Sequence, residues 1–157
     1  MSGFIANAGS GGITDPDTLA SDPFWPAVDV AALRSRLRLD DSITAPRLIA
    51  AACTAVDTVN AQLDAWRAEQ QAAGHDALAD VSPRQLGDQP RLVYLYLRAV
   101  DGFVGAELAE RYRTYDASNS GEHRAEELTP TIDEHRRDAR WAIRDLQGLP
   151  RATVDLI

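Results

Sequence analysis

Three histidines, one cysteine and 24 carboxylates are the side chains with which this sequence would have to perform catalysis or hold a metal. His123 stands four residues before Glu127, and His135 three before Asp138. On a helix such spacings bring both groups to one face, where a surface ion pair is the simpler product than a catalytic dyad. None of His75, His123 and His135 follows a glutamate by three residues, as in the Glu-x-x-His pattern of di-iron bundles, and no His-Glu-x-x-His zinc helix occurs. Cys53 excludes an internal disulfide and a cysteine-based zinc site, and its place near an apolar helical seam predicts a buried structural thiol. The Gly9–Gly12 stretch precedes neither a strand nor a clear helix, so it reads as a flexible arm and not a phosphate cradle. All 16 basic residues are arginine, which removes P-loop, Schiff-base and general-base lysines. The residues predict no catalytic group, no cofactor and no metal.

The elements around these residues are helical. At 157 residues, with 45% hydrophobic and 25% charged side chains, the chain is long enough for one domain with a real core. No apolar run approaches the ~20 residues of a membrane span, and the N-terminus lacks the basic and apolar regions of a signal peptide. The expected place of assembly is therefore the cytoplasm, with no membrane partner. A net charge of −8 argues against non-specific duplex binding, which depends on cations displacing counterions from phosphates.

Residues 1–28 read as an extended N-terminal arm, 29–148 as a small all-α bundle of about four helices, and 149–157 as an extended C-terminal tail. Asp29 is an N-cap for a first helix in which Val30, Leu33 and Leu37 share a face. Thr44 and Pro46 open a long second helix that Gly74 closes. Its seam is Leu48, Ala52, Val56, Val59, Leu63 and Trp66, at steps of three and four. A polar connector follows, which Leu78, Val81 and Leu86 would tack to the surface. The third helix, from near Arg91 toward Tyr115, is apolar on more than one side and should be the most buried. Gly102 and Gly105 inside it would admit another helix closely. Tyr94 and Tyr96 are expected to pack in the core with satisfied hydroxyls rather than stack on bases, which would need a basic groove. After a turn at "DASNSG", a short helical piece "EHRAEEL" precedes Pro130, and a last helix runs from about Thr131 to Gln147.

Two aromatic features leave alternatives open. In "SDPFWP", Pro23 and Pro26 stiffen the backbone around Phe24 and Trp25, whose rings either dock on the domain's own core or clasp a neighbouring copy. Trp141 points almost opposite the Ile132, Ala139, Ile143 and Leu146 stripe of the last helix, flanked by Arg137, Arg140 and Arg144. Either another element of the chain covers it, or it belongs to a subunit interface, where Trp and Arg are enriched.

The peptides "SDPFWP", "AWRAEQQAAG", "LAERYRTYD", "RAEEL" and "RRDARWAIRDL" followed by "RATVDLI" resemble, in order and spacing, the head completion (gpL) family of temperate contractile-tailed bacteriophages, from about Phe4 to the C-terminus. That resemblance implies a structural virion protein, not an enzyme, in the head-to-tail connector. It would add to the portal as a ring, dodecameric in related adaptors, after DNA packaging, retain the DNA and offer a docking surface to the tail. The implied partners are further copies of itself, the portal protein, a tail terminator or neck protein, and duplex DNA passing through the lumen without sequence-specific contact. Candidate subunit or portal contacts are Phe24, Trp25, Arg137, Trp141 and Arg144, with Val154, Leu156 and Ile157 of the tail. The competing reading is a generic cytoplasmic helical scaffold, and a weaker one a nucleic-acid-binding regulator, which the acidic balance opposes.

Overall fold

The computed structural model describes residues 18–116 and 121–151, with side chains for 18–111 and 132–151. Two short strands, β1 (Thr18–Leu19) and β2 (Val28–Asp29), pair antiparallel and lead into helix α1 (Val30–Arg36). Helix α2 (Ala45–Ala72) follows, then a 3₁₀ turn (Leu78–Asp80) and a hairpin of β3 (Gln85–Leu86) and β4 (Gln89–Pro90). Helices α3 (Arg91–Asp116) and α4 (Gly121–Leu146) complete the fold. The protein is mostly helical, with two minimal two-stranded sheets as accessories.

Local chemistry sets the helix ends. The Asp29 carboxylate accepts the Ala32 amide at 2.8 Å, the N-cap bond its type and position predict. Three C-termini close alike, with the amide of the second residue past the cap bonded five residues back. Leu39 reaches the Arg34 carbonyl, His75 that of Gln70, and Leu149 that of Arg144. The residue before each is left-handed: Gly74 at φ 95°, Gly148 at φ 73°, and Arg38 at φ 53°. Glycine adopts that conformation freely; Arg38 does so against its own Cβ.

α3 is the central helix, packed along α4 and against α2, while α2 and α4 barely touch. Between Arg91 and Glu110 only Tyr94 is exposed. Tyr96 is wholly buried and its hydroxyl donates to Asn60 Oδ1 at 2.8 Å. Burial raises the pKa of that hydroxyl well above its ordinary value. The two glycines of α3 set the approach to α4. A Cβ on Gly102 would stand 2.8 Å from the His135 carbonyl oxygen and 2.9 Å from the Ala139 Cβ, and one on Gly105 would meet the His135 ring. His135 is thus a packing residue at the α3–α4 seam.

Several expectations are corrected. α4 is one helix through Pro130, not a short piece followed by a second. Proline removes one helical hydrogen bond and clashes with the preceding turn, at about 3 kcal/mol, but the long contact of α4 with α3 holds the segment helical. Cys53 is exposed, because one residue beyond buried Ala52 rotates it 100° toward solvent. In the connector, Leu78 is buried and Val81 partly so, while Leu86 is exposed on the β3–β4 hairpin.

Candidate interaction site

The SDPFWP knot is bound into the bundle. Phe24 and Trp25 are 1% and 5% exposed. The Trp25 ring stacks on Tyr96 with centroids 5.1 Å apart, and Phe24 meets Trp25 and Trp66 edge-on. The backbone is tied as well: the Phe24 carbonyl accepts the Leu78 amide at 2.9 Å, Arg67 pairs with Asp22 at 3.1 Å, and Asn60 donates to the Ser21 hydroxyl at 3.3 Å. Of the two fates open to these rings, docking on the chain's own core is the one observed. Sealed by α2, α3 and the 3₁₀ turn, the two rings present almost no surface to a neighbour in this fold.

The outer face of α4 differs. Arg137, Trp141 and Arg144 follow one another at steps of four and three residues, opposite the buried Ala139, Ala142, Ile143 and Leu146. Trp141 is half-buried beneath two cations: the guanidinium carbons of Arg137 and Arg151 lie 4.8 and 5.0 Å from its ring centroid. Arg151 belongs to the segment beyond the helix. It also binds Asp145 through two hydrogen bonds, of 3.1 and 2.6 Å. Arg144 Nε donates to the Pro150 carbonyl at 2.7 Å. Gly148 turns the chain, and these bonds fold Pro150 and Arg151 back against α4. The guanidinium of Arg151 holds the Asp145 carboxyl below its ordinary pKa, with Arg91 and Arg98 of α3 adding to the effect.

The site therefore comprises Arg137, Trp141, Arg144 and the Arg151 clamp. Val154, Leu156 and Ile157 lie outside the described residues, as do the side chains of His123 and Glu127. Arg151 was absent from the sequence expectation because its role depends on the turn at Gly148. The only hint was an arginine directly after Gly-Leu-Pro at the helix end.

Nothing in the described geometry converges on a reacting atom. Among the described residues no charged side chain is fully buried, and no three His, Cys, Asp or Glu groups approach closely enough to hold a metal. A surface cleft of about 530 Å³ runs beside α1 between Val30, Arg34, Arg38 and Leu39. Arg34 is committed to the backbone carbonyls of Asp40 and Ile43. No described helix is long and apolar enough to cross a membrane.

The structure is thus a helical body with a cation–aromatic outer face on α4. The model of the phage head completion protein (GPL) family matches residues 19–157, and the chain belongs to that family. It is similar to the head completion/stabilization protein of Escherichia phage P2, with 36% identity over 156 residues covering 96% of this chain and 92% of the relative. No solved structure matches. The family is one of structural virion components.

Proposed function

We propose that this chain completes bacteriophage heads as a ring of identical copies, twelve in number, added to the portal after DNA packaging. There it retains the packaged DNA and offers a docking surface for the tail through a terminator or neck protein. The observation that carries this reading is the likeness to a head completion/stabilization protein across nearly the full length of both chains.

The physical properties agree with such a role. A charge of −8 allows an acidic wall around a channel that duplex DNA must cross without sticking. The Arg151 clamp holds the last described residue against α4 through Asp145 and Trp141. In this reading the tail adds to the portal or an adjoining connector protein as an edge strand, with Val154, Leu156 and Ile157 in pockets and Asp155 turned to the other side. Ordering such a tail costs entropy, so each contact is weak, and repetition around a ring makes the sum strong.

The test is complementation. Heads assembled without the protein should lose their DNA and fail to accept tails, and adding the purified chain should restore both. Full DNA retention and tail joining in its absence would contradict the proposal.

A further inference from the structure

The outer face of α2 carries the counterpart of the outer face of α4. On α4, Arg137, Trp141 and Arg144 follow at steps of four and three residues; on α2, Asp57, Ala61 and Asp64 do the same. Seven residues are two turns, so in each helix the charged pair shares one face, separated by about 10.5 Å along the axis. Asp57 and Ala61 are exposed, and the Asp64 side chain, which Arg67 of the same helix meets at 3.0 Å in a surface pair that is cheap to exchange, is 70% exposed. Both carboxylates lie opposite the buried Ala52, Val56, Val59 and Leu63 stripe. Ala50, Ala61, Ala65 and Ala68 leave the face smooth, which gives a flat aromatic ring room to lie between two acids.

These faces do not meet within one molecule. α2 and α4 flank α3 and each turns its apolar stripe inward, so both outer faces point away from the shared core. Two arginines flanking a tryptophan on one side and two carboxylates at the same spacing on the other define a heterologous contact, which propagates from copy to copy and closes when the rotation permits. We propose that the α4 face of one copy docks on the α2 face of the next, with Arg137 and Arg144 paired to Asp57 and Asp64 of the second copy and Trp141 laid over its Ala61. This rests on the ring reading above and names the two faces that would form it.

Phosphate is the poorer occupant for the α4 stripe. Glu134, Asp138 and Asp145 border it, and Asp145 already engages Arg151, so the local field is mixed rather than strongly cationic. A protein face with two carboxylates at the spacing of the two arginines fits it better.

The test uses full chains with reversed charges. Arg137→Glu with Arg144→Glu leaves both faces acidic, and Asp57→Arg with Asp64→Arg leaves both basic. All four residues are solvent-facing or half-exposed, so helical content should be unchanged, and circular dichroism checks this. At high concentration in a sedimentation experiment, each variant alone should associate at least tenfold more weakly than the wild type. An equimolar mixture should associate again, because every acidic face then has a basic partner. A photoreactive residue at position 61 should crosslink to the 137–144 peptide of a second, isotopically labelled copy. A mixture sedimenting as the sum of its parts, crosslinks elsewhere or none, or a loss of duplex binding without change in self-association would each overturn the inference. Restored pairing by a chain that still fails to complete heads would instead count against the functional reading alone.

Discussion

The guanidinium of Arg151 lies over the ring of Trp141, 5.0 Å from its centroid, and grips Asp145 one turn further along the same helix. A residue outside α4 is thereby fixed on the face that α4 turns away from the core. Arg151 itself is therefore held in place by both an aromatic ring and a carboxylate of that face.

The clamp is pH-dependent in a stated direction. Because Arg151 holds the Asp145 carboxyl below its ordinary pKa, the stabilisation is fully present above the unfolded-state carboxylate pKa and is lost as pH falls through the lower folded value. A carboxyl-resolved NMR titration should find Asp145 titrating below an ordinary aspartate, and Arg151→Ala should move it back up. An Asp145 titration identical in the two proteins would contradict the clamp.

The α3–α4 approach depends on the missing side chain of Gly102. On helix propensity alone Gly102→Ala would stabilise by about 1 kcal/mol, but its methyl would meet the His135 carbonyl and Ala139. Overpacking of about 1–3 kcal/mol then opposes it, and chemical denaturation should show a net loss. A raised denaturation midpoint would mean that the helices have room to separate.

Phe24 of the segment before α1 and Leu63 of α2 report on the same core. Both are essentially inaccessible, at 1% and 0%. Truncation to alanine should cost about 3–5 kcal/mol for Phe24 and about 2–5 kcal/mol for Leu63. If Phe24→Ala cost well under 1 kcal/mol, the knot would be a surface feature.

Arg38 ends α1 in the conformation that Gly74 and Gly148 supply at the ends of α2 and α4. Arg38→Gly should therefore raise stability by about 1 kcal/mol, relief of left-handed strain exceeding the added unfolded-chain entropy. A drop in melting temperature would show that the Arg38 side chain makes a contact worth more than the strain.

Much of this architecture was legible because it is local. The Asp29 cap, the seam from Leu48 to Leu63 and the stops at Gly74 and Gly148 depend on neighbours a few residues away, and sequence spacing records them. Pro130 misled because its local signal is real but is overridden by the packing of α4 on α3. The fate of Phe24 and Trp25 was open in the sequence, since their partners Trp66, Leu78 and Tyr96 are distant in the chain. Trp141 was placed outward by its helical angle alone. Its Arg151 cover required the backbone turn at Gly148, and Asp57 and Asp64 resemble any solvated helix charges until both outer faces are seen together.

In the proposed function this chain adds to the portal, and its C-terminal tail is the segment proposed to make the contact. The direct measurement is sedimentation of the purified protein with the cognate portal, comparing the full chain with one ending at Arg151, which keeps the clamp and the folded body. The full chain should co-sediment in ring stoichiometry, and the shortened chain, equally helical, should remain free. Equal binding by both, or by neither, would contradict the account.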